Sequence, residues 1–94
     1  MASHHHALEH LVSVGPSIRR DLQWLGVGSV AQLARRNPEK MYERLCRVTG
    51  AGQDICVLDV FRAAVAQARN PRLPAKQKQW WYWSRQRKAQ DAHR

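Results

Sequence analysis

No stretch of the 94 residues alternates β-branched with polar residues, which argues against a half-buried sheet. No apolar run approaches the roughly 18 residues of a membrane-spanning helix, so no membrane partner is expected. Cysteine is scarce. Cys46 and Cys56 are two thiols, too few for a disulfide framework. The N-terminus lacks a basic segment followed by an apolar run, so no signal peptide is expected and a reducing, cytoplasmic setting is the default. Paired carboxylates, a nucleophile with its base and orienter, and a glycine-rich nucleotide loop with a lysine are all missing. His4-His5-His6 and His10 show no ligand set of defined spacing. The chain is therefore expected to be no enzyme and to hold no metal or cofactor.

Acid is also scarce: seven Asp and Glu stand against sixteen Lys and Arg, a formal net charge of +9. Such an excess favours an anionic partner, nucleic acid or an acidic protein surface. It is unevenly spread. Residues 1–30 balance two basic with two acidic groups, residues 31–70 carry seven basic and four acidic, and residues 71–94 carry seven basic and only Asp91. The length suits one domain with one core.

The central stretch is Leu45 to Leu58, LCRVTGAGQDICVL. Leu45 and Val48 sit at helical spacing, Gly50-Ala51-Gly52 suits a tight turn needing positive φ, and Asp54 offers an N-cap to the next helix. This fits a helix-hairpin-helix pattern, whose turn amides and following helix N-terminus can take an anion. A plain connection between packed helices fits it equally. Leu8 to Leu22 repeats the pattern, with Leu8 and Leu11 as the apolar pair, Ser13-Val14-Gly15 as the turn, and Pro16 in the first helical turn. Ile18, Leu22 and Leu25 continue as an amphipathic helix ending at Gly26.

Gly28-Ser29 caps a short helix with Val30, Leu33 and Ala34 inward. Asn37-Pro38-Glu39 starts another, with Met41, Leu45 and Val48 as its apolar stripe and Glu39, Glu43 and Arg47 as exposed pairs. Asp54 to Arg69 is the longest helix, with Ile55, Leu58 and Val65 on its stripe, and Phe61, the single phenylalanine, is expected at the core's centre. Asn70-Pro71 stops it. Beyond Pro74 comes KQKQWWYWSRQRK, in which Trp80, Trp81, Tyr82 and Trp83 are flanked by Lys76, Lys78, Arg85, Arg87 and Lys88. These aromatics can stack on bases while the cations hold phosphates. The other reading docks Trp80 and Trp83 on the globule. The cysteines read as small buried thiols or as a redox or metal pair.

The expected fold is all-α: a compact tandem helix-hairpin-helix, SAM-domain-like bundle of about five helices. Residues 1–7 form a disordered N-terminus, residues 8–70 the tandem domain, and residues 71–94 a basic, Trp-rich tail, partly docked. The chain resembles the small bacterial family of pathogenicity-locus proteins, sometimes labelled mitomycin resistance proteins, through GPSIRRDLQWLGVGSVAQL, NPEKMYERLC, TGAGQDICVLDVFRAAV and QWWYW. The resemblance covers about residues 8–83. It implies a compact helix-hairpin-helix fold and, by fold-level analogy alone, non-sequence-specific DNA binding. Against the hairpin pattern, Ser13 replaces a glycine, Arg19 stands where a small residue is usual, and Asp59 stands where an apolar one is expected. The second turn is therefore expected to be the better anion site, although Asp54 beside it opposes a phosphate.

Nucleic-acid binding would use Gly15, Ser17, Arg19 and Arg20 at the first turn, and Arg47, Gly50, Gly52 and Gln53 at the second. Lys76, Lys78, Arg85, Arg87 and Lys88 would add cations from the tail, and Trp80, Trp81, Tyr82 and Trp83 would stack. The alternative is a protein-interaction module that binds a protein partner or a second copy of itself through the helical domain and the aromatic tail.

Overall fold

The computed structural model describes residues 8–92; Met1–Ala7, with the histidine run, and His93–Arg94 lie outside the described residues. Five α-helices follow one another: α1 (Pro16–Trp24), α2 (Val30–Ala34), α3 (Pro38–Thr49), α4 (Ile55–Arg69) and α5 (Trp80–Ala92). Single 3₁₀ turns span Leu8–His10 and Ala75–Lys78, and no strand occurs among the described residues. The segment ahead of the first turn is thus one 3₁₀ turn rather than the helix that the repeated pattern predicts.

The starts and stops have local causes. Ser29 Oγ accepts from the Gln32 amide at 3.1 Å, Asn37 Oδ1 from the Lys40 amide at 3.0 Å, and Asp54 Oδ1 from the Cys56 amide at 2.9 Å. Each satisfies a donor that the first helical turn leaves unpaired. At the far ends, α1 and α3 close alike. Gly26 (φ 76°) and Gly50 (φ 68°) turn left-handed. The next amides then reach back, Val27 to the Leu22 carbonyl and Ala51 to the Cys46 carbonyl. Arg69 closes α2 from a distance, its guanidinium donating to the carbonyls of Ala34 (2.8 Å) and Arg36 (3.0 Å).

α4 is the axis of the molecule, in contact with α2, α3 and α5. The core gathers Leu22, Leu25 and Val27 from α1 and its end, Leu33 from α2, Met41 and Leu45 from α3, and Phe61, Ala64 and Val65 from α4. Phe61 is fully buried among them. Two members of the expected stripes fall outside: Val48 is 49 % exposed and Ile55 41 %. Both flank the turn at Gly50, where the chain leaves one helix for the next and the apolar stripes outrun the core. The tail is ordered on the globule as far as it is described. From Trp80 to Ala92 it is helical and packs on α4, with Ser84 buried.

Candidate functional site

The two turns share a backbone. Ser13, where a glycine is expected, takes φ 72°, and its counterpart Gly50 takes φ 68°. A non-glycine residue there costs roughly 1–2 kcal/mol. What Ser13 gains is a hydroxyl at a junction: Oγ donates to the Lys78 carbonyl and accepts from the Trp80 amide, each at 3.2 Å. Gln67, buried on α4, completes this junction. Its Oε1 accepts from the Val12 amide at 2.9 Å, and its Nε2 donates to the Val12 carbonyl at 2.8 Å. The first turn, α4 and the start of α5 are thereby tied together.

The α1 N-terminus beyond this junction is open. Gly15 is its exposed N-cap residue, no side chain caps it, and Pro16 contributes no amide hydrogen. Ser17 and Arg20 are exposed, whereas Arg19 is half-buried. The α4 N-terminus differs. Asp54 sits on its first free amide, and the Cys56 N–H holds the Asp54 carboxyl below its ordinary value, with the Arg87 charge assisting. An anion is thus already present at the second turn, so the geometry favours the first turn, contrary to the expectation from glycine content. Gln53 is engaged as well. Its carbonyl accepts from the Tyr42 hydroxyl, and its side-chain amide donates to Thr49 Oγ1 at 3.0 Å. Burial, followed by the neighbouring Cys46, pushes the Tyr42 phenol up. Gly52 is exposed, with open space where a Cβ would stand.

In the tail the expectation for Arg87 needs correcting. Its guanidinium donates to both carboxylate oxygens of Asp59, with Nε at 3.1 and 3.3 Å and Nη2 at 3.0 Å. Asp59 is fully buried and the Arg87 side chain is 16 % exposed. The polar residue in an apolar position and the supposed phosphate-binding cation are partners in one internal ion pair, so Arg87 is withdrawn from the surface set. Lys76, Arg85 and Lys88 are exposed, and Lys78 is half-buried. Arg85 lies over the Trp81 ring, 5.0 Å from its centroid. Trp80 and Trp81 present open faces, at 40 % and 37 % exposure. Tyr82 and Trp83 do not: they meet edge to face at 5.4 Å, and the Trp83 indole donates to the Gln77 carbonyl at 2.8 Å. Trp83, rather than Trp80, is the docked tryptophan.

A further basic feature is a groove to which the sequence pointed only at Arg47. Between the end of α1 and the outer face of α3 lies a groove of about 560 Å³, walled by Arg35, Arg36, Lys40, Arg44 and Arg47 over a floor of Leu25 and Met41. Lys40, Arg44 and Arg47 recur at steps of four and three along α3, a periodicity as regular as that of the buried stripe. That was the available signal. Among the described residues no group of three or more His, Cys, Asp and Glu is placed to hold a metal ion, and no helix is long and apolar enough to cross a membrane.

Residues 1–89 match the family described as Pathogenicity locus. The chain is similar to a protein of Streptomyces lavendulae named Mitomycin resistance protein McrB, with 40 % identity over 81 residues that cover 86 % of this chain and 73 % of that one. No solved structure matches significantly. On the family match and on this relative, the chain belongs to the Cdd1, or Pathogenicity locus, family.

Proposed function

We propose that the protein binds nucleic acid, DNA in the first instance, through backbone phosphates and with little sequence selectivity. Its two turns act as helix-hairpin-helix elements. The observation that carries this reading is the α1 N-terminus: an exposed helix start with no side-chain cap, directly after a left-handed turn and beside exposed Ser17 and Arg20. Such an end directs free amides and the positive pole of the helix dipole at an incoming anion. Arg47 and the tail cations add counterion-release affinity. We place the protein in a reducing, cytoplasmic setting, where Cys46 and Cys56 stay free thiols.

Ser17→Asp tests this directly. A carboxylate in the first turn is favourable for the helix, so the fold is retained. It also fills the proposed phosphate site with like charge. Anisotropy titration of labelled duplex and single-stranded DNA should show binding about tenfold weaker and a salt slope shallower by about one phosphate contact. Unchanged affinity with unchanged slope contradicts the reading. Truncation after Pro71 is a poor test, because it strips Asp59 of Arg87. The second reading is a protein-binding module, favoured by the exposed rings of Trp24, Trp80 and Trp81. Replacing those three with serine, while DNA binding is followed, separates the two: an adaptor loses its protein partner with DNA affinity untouched.

A further inference from the structure

We propose that the groove along α3 is the principal track for the nucleic-acid backbone, and that the turns serve as a secondary contact; this inference rests on the nucleic-acid reading above. Five cations line the groove, Arg35, Arg36, Lys40, Arg44 and Arg47, against one acid, Glu43. The side chains of Lys40 and Arg44 are exposed, as are Arg35 and Arg47. Like charges gathered on one wall repel one another, and a cleft lined by a single sign concentrates the field of its charges. An anion placed there relieves the repulsion of several cations at once.

The layout discriminates among anions. Three of the cations, Lys40, Arg44 and Arg47, follow one another along α3. Lys40 and Arg47 are seven residues apart on one helix, about 10 Å along its axis at ~1.5 Å per residue. One strand of a duplex presents a phosphate about every 3.4 Å of axis, so about three phosphates lie alongside that length. A linear polyanion of regular charge matches this line. Arg36 also fixes the wall, since its guanidinium donates to the Gly26 carbonyl at 3.4 Å and links the groove to the end of α1. The apolar floor of Leu25 and Met41 offers no hydrogen bond to a base edge. The track is therefore expected to grip the backbone without reading sequence.

The groove continues around Asn37, which also borders a second cleft lined by Arg62, Arg69 and Trp83. In that cleft Arg62 is neutralised by Glu39 at 2.7 Å, and Arg69 is held by the carbonyls of Ala34 and Arg36. The row of cations along α3 gives way there to an ion pair, which sets the limit of the track.

The test uses the full chain carrying Lys40→Gln together with Arg44→Gln, both on the exposed face, with circular dichroism to establish that the fold is retained. Binding to a labelled 20-base-pair duplex is followed by anisotropy between 50 and 200 mM salt. Two lost phosphate contacts should make the logarithmic salt slope shallower by about 1.8 and weaken Kd about 100-fold at 50 mM. Glu43→Gln, which removes the opposing acid, should tighten binding severalfold. A slope unchanged in Lys40→Gln/Arg44→Gln, while Ser17→Asp weakens binding, overturns the groove and leaves the turn reading standing. Failure of the unaltered protein to bind DNA at 50 mM salt overturns both. Polyglutamate that displaces DNA as effectively, charge for charge, as unlabelled DNA overturns the nucleic acid as occupant in favour of an acidic protein surface.

Discussion

Replacement of Arg87 by alanine isolates the least expected contact in the molecule. Asp59 has no exposed surface, and among the described residues its hydrogen-bond donors are the two nitrogens of Arg87, 28 positions away. Removing the guanidinium leaves a buried charge without compensation. Breaking a pair of this kind costs about 3–5 kcal/mol. A domain of this size has about 5–15 kcal/mol in total, so the loss takes a large share of its stability. At roughly 4–8 °C per kcal/mol, Tm should fall by about 12–40 °C. Asp59→Ala should cost about half as much, because Arg87, already 16 % exposed, can turn its head to water. Asp59→Leu with Arg87→Leu should recover the loss, since a well-packed apolar pair commonly equals or exceeds a buried ion pair. Leucine already fills the matching position in the first half, where Leu22 is fully buried. Urea unfolding followed both by tryptophan fluorescence and by far-ultraviolet circular dichroism measures all four proteins. An Arg87→Ala variant within about 0.5 kcal/mol of the parent, the usual range for a neutral surface change, refutes the reasoning. So does a double-leucine variant less stable than Arg87→Ala alone.

Two further outcomes are expected. Ser13→Ala keeps the left-handed strain but loses both bonds to the start of α5, for a loss of about 1–3 kcal/mol in urea unfolding. Ser13→Gly relieves the strain and should fall between alanine and the parent; equal stabilities for the two variants would count against the junction. Asp54 makes stability depend on acid. Its folded carboxyl titrates below the ordinary value of 3.8, so its contribution is whole above that value and disappears as pH falls through the folded value. The urea midpoint of the parent relative to Asp54→Asn should be flat from pH 7 to about pH 4 and then decline, and a difference constant down to pH 2 would exclude this cap as the source.

How much of this was legible beforehand depends on range along the chain. The helix starts at Ser29, Asn37 and Asp54 act through side chains bonded two or three residues ahead, and the stops at Gly26 and Gly50 close on carbonyls a few residues behind. Local sequence contains both partners. The core around Phe61 was legible because its apolar positions recur with the helix period. The line of Lys40, Arg44 and Arg47 was equally periodic, yet its significance depends on Arg35 and Arg36 facing it across a groove, which is a matter of how α2 and α3 are set.

The sequence by itself determined the all-helical class, most of the helix boundaries, the two matched turns and the basic charge, because each rests on bonds or spacings within a few residues. Tertiary structure alone decided which charges remain at the surface. Arg87 and Arg85 are two residues apart in the same basic stretch, yet one neutralises Asp59 and the other lies over Trp81. Ser13 stands in for a glycine because its hydroxyl meets Lys78 and Trp80, more than sixty residues away. An unpaired buried charge or a strained turn is tolerated only when a distant group arrives to complete it, and only the packing of α5 on α4 brings those groups together.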